Sequence, residues 1–360
     1  SWQITIPVRQ EAGTSWYHPH RMGRTAEHVH AGLAGLYLIE DANSLALDLP
    51  REYGVNDIPL VVQDRSFTEG KMNAYAAEQR QAFVDGLRED TVVVNGTLNA
   101  YHSVPQGWVR LRLLNGSNSR FYHFSFDDNA PFFKIATEGG FLNQSIQMDS
   151  IEMAPGERNE IMIDLSDGEN AVLVADLLPV DPDDRGVLER DRRAHVVELR
   201  VDSTLQASGS LPGRLNDIAY FDRTEATRTR AFDLQMDGNN RQDWSLSDHK
   251  TMFFINGRSM DMGVVNERVE IGAIEIWRVT AERMPHPFHI HGVSFQILSV
   301  GGEPPAEEDR GWKDTVVVTR EPTELIMRFD HGATDKYPLM YHCHMLEHEE
   351  GGMMGQFTVG

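Results

Sequence analysis

The sequence predicts an all-β protein assembled from β-sandwiches, and three observations carry that prediction. Short runs rich in Val, Ile, Leu and aromatic residues recur along the 360 residues. Gly, Pro, Asn and Asp punctuate them. The chain also repeats itself at long range, with the turn spacing of sandwich domains.

The strand-like runs are, in order, IPLVVQD (58–64), TVVVNG (91–96), WVRLRLLN (108–115), RNEIMIDL (158–165), AIEIWRVT (273–280) and TELIMRF (323–329). Helix is a minor component, with residues 71–85 as a candidate. The repeat pairs TVVVNG with MFFINGR at 252–258 and GWVRLRLLNGS at 107–117 with GAIEIWRVTAE at 272–282. It also pairs FFKIATEGG at 132–140 with FQILSVGGE at 295–303, and EIMIDL with ELIMRF, all at offsets close to 162 residues. Two copies of one sandwich follow, at 55–203 and 217–360, with a Ser-, Gly- and Leu-rich linker at 204–216. PVDPDDRGVLERDRR (179–193) reads as a charged surface loop within the first copy.

A partial third copy sits at the start. WYHPH (16–20) followed by GLAGLYLIE (32–40) parallels MYHCH (340–344) followed by GGMMGQFTV (351–359). Residues 1–50 are therefore read as the C-terminal strands of a third sandwich, which cannot bury a core by themselves. The rest of that sandwich is read as missing, cleaved off, or supplied by another chain, a separate N-terminal fragment. EHVH (27–30) falls where a loop between the ligand strand and the closing strand is expected, so His28 and His30 are read as bystanders.

A formal net charge of −22 argues against nucleic acid and anionic membrane as partners. No run approaches the length of about 18 apolar residues that a membrane-spanning helix needs. One cysteine excludes an intrachain disulfide, and fifteen methionines admit copper handling as well as ordinary core filling.

The chemistry concentrates in three motifs. In MYHCH, strand alternation sends His342 and His344 to one side and Cys343 to the other. His348 and Met353 follow at spacings that let a loop return to the sulfur. Two His, one Cys and a weak axial Met make a blue-copper electron-transfer site, and HPFHIHG (286–292) supplies the second imidazole as His286. His289 and His291 share the other face and join the cluster that His342 and His344 address. His18 and His20 repeat the alternation, with Pro19 where a cysteine would be needed. Eight of the fifteen histidines lie in these motifs. Zinc fits less well, because structural zinc sites cluster Cys and His in sets of four.

These stretches, with GLAGLYLIED, RLRLLNGSNSR, GWKDTVVV and HCHMLEHEEGGMM, resemble the three-domain bacterial multicopper oxidases of the periplasmic copper-resistance type, cuprous oxidases with laccase-like activity. The resemblance implies cupredoxin-like Greek-key sandwiches and a periplasmic location. It also implies a type 1 copper held by His286, Cys343 and His348 with Met353 axial. His289 would then bind a type 2 copper, and His18, His20, His291, His342 and His344 a type 3 pair. Electrons from a phenol or from Cu(I) would pass through the Cys–His peptide link to this trinuclear cluster, which reduces dioxygen to water. The family's cluster takes eight histidines, and the His-Trp-His-Gly motif that provides the remaining pair does not occur in this sequence. The resemblance thus implies that the N-terminal fragment completes the enzyme. The middle sandwich is expected to carry no copper ligands.

Glu349 matches the family's proton-relay position; its alternative is a place in a solvated acidic run, Glu347–Glu350. Asp314, in GWKDT, is a candidate for orienting a ligand His through its second nitrogen; its alternative is a strand-end turn residue. Glu282, Met284, Met260 and Met262 are candidates for substrate copper or for plain core and surface roles. The polar stretch MDGNNRQDWSLSDHKTM (236–252) replaces the Met-rich insertion of the relatives, which leaves bulky phenols room at the type 1 edge. The competing reading is a non-catalytic blue-copper protein that transfers electrons or sequesters copper. Two further alternatives, a metal-free scaffold and a nitrite reductase-like enzyme, explain fewer of the histidines.

Overall fold

The computed structural model describes residues 8–76, 80–178, 193–236 and 252–360. The amino-terminal unit contains β1 (Gly13–Tyr17), α1 (Thr25–His30), β2 (Gly35–Ile39) and α2 (Ala42–Ala46). The middle sandwich begins with β3 (Asp57–Arg65), a small hairpin of β4 (Phe67–Thr68) and β5 (Lys71–Met72), and α3 (Arg80–Val84). It continues through β6 (Thr91–Val94), β7 (Ala100–Val104), β8 (Trp108–Asn115), β9 (Phe121–Phe126), β10 (Phe132–Thr137), β11 (Gly140–Met148), β12 (Ser150–Met153), β13 (Arg158–Asp164), β14 (Ala171–Leu178) and β15 (Arg193–Val201). The carboxy-terminal sandwich has β16 (Arg228–Met236), β17 (Phe253–Ile255), β18 (Glu267–Val269), β19 (Ile274–Ala281), β20 (His286–Ile290) and β21 (Phe295–Val300). It closes with β22 (Thr315–Val318), β23 (Thr323–Arg328), β24 (Leu339–Cys343), α4 (Leu346–Glu350) and β25 (Met354–Val359).

The internal repeat is visible in the sheets. One sheet of the middle sandwich runs β11-β10-β13-β8-β3-β6, and its counterpart runs β21-β23-β19-β16-β17. The opposing sheets run β12-β9-β14-β15-β7 and β22-β20-β24-β25-β18. In each copy two pairs are parallel at the same places, β3 with β8 and β7 with β15 in the first, β16 with β19 and β18 with β25 in the second. The NG turns match too. Asn95 and Asn256 have φ of 50° and 53°, and both are followed by a glycine with positive φ, the conformation that two-residue hairpin turns demand. By this correspondence β9 and β14 are the middle-sandwich equivalents of β20 and β24.

Two of the expectations above need correction. Residues 71–85 are not one helix: Glu69 and Gly70 take positive φ and turn the chain into the β4–β5 hairpin, and among the described residues of this stretch helix covers Arg80–Val84. EHVH is not loop but the end of α1, whose Ala26 and Val29 pack on Leu346 of α4. The stretches 179–192 and 237–251 lie outside the described residues, as does His249.

Alternating apolar residues of facing sheets fill each sandwich. Leu111, Phe124, Phe132 and Leu173 are fully buried in the middle core; Trp277, Phe288, Phe329 and Phe357 are fully buried in the carboxy-terminal one. Buried ion pairs join the units. Glu160 accepts from Arg110, Arg112 and Thr14, so the strand β1 is fixed to the middle sandwich. Lys313 reaches across from the carboxy-terminal sandwich to Glu138 and Glu157 at 3.0 and 3.3 Å.

Candidate metal centre

Strand register decides which side chains meet. β20 and β24 are antiparallel neighbours, with Phe288 opposite Cys343, His289 opposite His342 and Ile290 opposite Tyr341. Directly opposed residues share a face, and residues two apart share it as well. His286, Phe288 and Cys343 therefore point into the carboxy-terminal core. His289, His291, His342 and His344 point the other way, toward the amino-terminal unit and the middle sandwich.

On the core side, the Nδ1 of His286 is 3.3 Å from Cys343 Sγ, and the Nδ1 of His348 is 3.7 Å from it. The two ring nitrogens are 3.2 Å apart, and all three residues are fully buried. His348 arrives from α4, whose single turn brings the chain back over the sulfur. Its Nε2 donates to the Val84 carbonyl at 2.9 Å, and its ring stacks on Phe253 at 4.4 Å between centroids. Both contacts aim Nδ1 at the sulfur. Met353, also fully buried, is tied in by its carbonyl, which accepts from Cys343 N at 3.1 Å.

On the other face, the Nε2 of His342 lies 3.0 Å from Nε2 of His291 and 3.5 Å from Nε2 of His20. These three form one compact group, and His286, Cys343 and His348 form the other. His289, His18 and His344 stand around the first group. The His289 ring is 4.9 Å from that of His291 and 5.4 Å from that of His342; His18 is 5.7 Å from His20 and 5.6 Å from His344. Trp16 covers the outside, its ring 4.4 Å from His18 and 5.4 Å from His344.

The electrostatics suit cation binding. Burial lowers His18 and His348 to about 4 and lowers His20. It holds His286, His291, His342 and His344 well below the ordinary range, and the mutual repulsion of neighbouring imidazoles adds to it in each. Such rings are neutral at pH 7 and have a lone pair to give. Burial pushes the Cys343 thiol up, so only a bound cation would make it a thiolate. A soft sulfur with two imidazoles fits copper, and an all-imidazole set beside it fits copper as well.

The acidic run 347–350 is not solvated. Glu347 is fully buried and accepts from Ser119 Oγ, Asn118 Nδ2, Tyr75 OH and the Leu87 amide. Glu349 is 2% exposed; its Oε2 is 3.3 Å from His342 Nδ1 and its Oε1 3.6 Å from His20 Nε2. Burial, reinforced by Glu350 and Glu347, raises the Glu349 carboxyl well above its ordinary range. Glu350 accepts from the amides of Thr25 and Ala26 and so caps α1.

Asp314 does adjoin a ligand candidate, but through its backbone: the carbonyl accepts from His289 Nδ1 at 2.8 Å, while its carboxylate is 3.5 Å away. That carboxylate instead holds Arg158, a residue that the sequence presented only as part of a strand. Of the substrate-side candidates, Met284 and Met260 are buried and Met262 is exposed. Glu282 lines an open groove with Asp233, Thr280, Arg283 and Arg320. His30 binds Glu89 at 2.8 Å and, with His28, stays outside both histidine groups. His102 and His195 bond backbone carbonyls, as ordinary structural histidines do.

Known proteins agree with this architecture. Two family models described as multicopper oxidase match residues 223–360 and 1–44. A cell division protein FtsP of Xenorhabdus nematophila is 35% identical over 369 residues, covering 100% of this chain and 72% of its own length. The FtsP of Escherichia coli K12 is 35% identical over 359 residues, covering 99% and 73%. Among solved structures, a bacterial laccase-like multicopper oxidase CueO from Ochrobactrum sp. has a TM-score of 0.86 at 35% identity, over 99% of this chain and 78% of that one. The McoA multicopper oxidase of Aquifex aeolicus has a TM-score of 0.82 at 31% identity, over 99% and 77%. With paired sandwiches, a Cys–His–His group on one face of a strand pair and a histidine group on the other, the chain belongs to the multicopper oxidase family.

Proposed function

We propose that this chain forms the copper-binding part of a periplasmic oxidase that takes electrons singly from a phenol or Cu(I) and delivers them to dioxygen. One observation carries the reading: two donor groups lie on opposite faces of the β20–β24 pair, and Cys343 sits in one while its covalent neighbours His342 and His344 sit in or beside the other. When bound, copper would supply one-electron acceptance at the sulfur-containing group and dioxygen reduction at the histidine group.

The chain's own residues do the rest. His286, Cys343 and His348, with Met353 nearby, present a soft buried set that excludes water. His20, His291 and His342, with His18, His289 and His344 around them, present neutral imidazoles. Glu349 holds a proton 3.3 Å from His342 Nδ1, where oxygen reduction consumes protons. The groove beside Glu282 adjoins the segment 281–285 that leads into His286, and there a reductant approaches. We further propose that a His-x-His pair from an N-terminal fragment of the same protein completes the histidine group.

The name of the FtsP relatives, cell division protein, favours a second reading. In it the chain binds copper without turning over and serves as an electron-transfer, copper-sequestering or structural component. Oxygen uptake separates the two. The copper-loaded protein, supplied with a phenol or Cu(I), consumes oxygen under the first reading, and the Cys343→Ser variant does not. Absence of uptake by the copper-loaded wild type in the presence of its N-terminal fragment favours the second.

A further inference from the structure

We propose that the turn 154–158 of the middle sandwich, which carries none of the donor side chains, sets the orientation of the histidine cluster, with Arg158 as its positioning residue. Arg158 is 3% exposed. Its Nη1 and Nη2 donate to the two carboxylate oxygens of Asp314 at 2.7 Å each. Its Nε donates to the Thr14 carbonyl at 3.0 Å, and Nη1 donates also to the Gly156 carbonyl at 3.1 Å. A planar fork with fixed donors is what this three-way contact requires, and a lysine ammonium cannot reproduce it.

Each partner leads to a different part of the cluster. The backbone carbonyl of Asp314 accepts from His289 Nδ1 at 2.8 Å, and Thr315 Oγ1 bridges that nitrogen at 3.0 Å and the Asp314 carboxylate at 2.9 Å. A carbonyl can only accept, so Nδ1 carries the proton and Nε2 is left to bind a metal. Thr14 belongs to β1, which runs directly into Trp16, His18 and His20. Gly156, at φ +85°, lies under His344: a Cβ there would come within 2.8 Å of the imidazole Cδ2 and Cγ. One turn thus touches the supports of His18 and His20, of His289 and of His344, which come from two different units.

This rests on the reading that these histidines bind copper, but part of its test does not. In copper-free protein labelled with ¹⁵N-histidine, the His289 Nδ1–H resonance is expected to exchange slowly with water. Arg158→Met speeds that exchange at least tenfold, and Arg158→Lys does so partially. The His348 Nε2–H, bonded to Val84, serves as a reference and stays unchanged. In copper-loaded protein Arg158→Met weakens copper retention by the histidine group about 10- to 100-fold, while the blue absorption of the Cys343 group is unaltered. Gly156→Ala keeps the His289 resonance and shifts that of His344. The proposal is overturned if His289 exchange is unchanged in both Arg158 variants. It is equally overturned if both copper groups weaken together with the melting temperature, since Arg158 is then only a tie between sandwiches. Should Arg158→Met fail to fold, Arg158→Lys and Gly156→Ala decide it. A wild type that takes up no copper at the histidine group sinks the oxidase reading instead, and the His289 exchange still decides the role of Arg158.

Discussion

His342 and His289 stand directly opposite each other on antiparallel strands, and Cys343, one residue on, stands opposite Phe288 on the reverse face. That register separates two donor groups by no more than the thickness of one strand. It predicts that they fail independently. Cys343→Ser should abolish the thiolate-to-copper absorption and leave copper on the histidine face. His342→Ala should do the reverse. Copper analysis alongside a visible spectrum of each variant checks this.

Glu349 should matter to turnover and not to metal content. It is buried beside His20 and His342 and donates nothing to the Cys343 group. Under the oxidase reading, Glu349→Gln lowers oxygen uptake by roughly 100-fold, a typical contribution of a positioned acid or base, with both copper signals retained. An unchanged rate would remove Glu349 from proton delivery.

Glu347 has a different task from its neighbour. Four donors from residues 75 to 119 converge on its buried carboxylate. Glu347→Ala removes that acceptor; Asn118 keeps its bond to the Ala26 carbonyl, and each of the other donors that stays dry costs about 1–3 kcal/mol. A melting temperature several degrees lower is expected, together with weaker copper at His348, whose turn loses its anchor. Differential scanning calorimetry measures the first and copper titration the second.

Stability should fall in acid through Glu160. Burial works to raise its pKa, but Arg110 and Arg112, with a hydrogen bond from Thr14, override this and hold it down to about 2 against an ordinary 4.5. A depressed carboxyl stabilises the fold above its unfolded pKa, and the contribution is lost as pH falls from about 4.5 toward 2. The size is on the order of 3 kcal/mol at neutral pH. Urea unfolding at pH 6 and pH 3.5 should differ by about 1.4 kcal/mol from this group, the part of the contribution lost by pH 3.5. Glu160→Gln should cost about 3–5 kcal/mol at pH 6, because two buried guanidiniums lose their partner, and should flatten the pH dependence.

Strand runs and the duplicated sandwich were legible because alternation and NG turns are local properties; the matching sheet orders follow from them. The two-faced ligand motifs were legible for the same reason, since spacing by two fixes the face. Burial of Glu347 and Glu349 was not. A run of acids reads as solvated until α1 and residues 75–119 cover it, and these lie some 230–320 residues away in sequence. Arg158 was missed on the same ground: its partners Thr14 and Asp314 are 144 and 156 residues distant. The helix expected at 71–85 yielded to a positive-φ turn at Glu69–Gly70, a choice that local composition leaves open.

The most direct test of the central claim is copper stoichiometry with a visible spectrum on the wild-type protein, together with whatever N-terminal fragment accompanies it. The account predicts the intense blue absorption of a Cys343-bound copper plus additional copper that disappears in His342→Ala. Protein that stays colourless after copper addition, or that binds one blue copper and no more, would contradict the claim of two coupled centres.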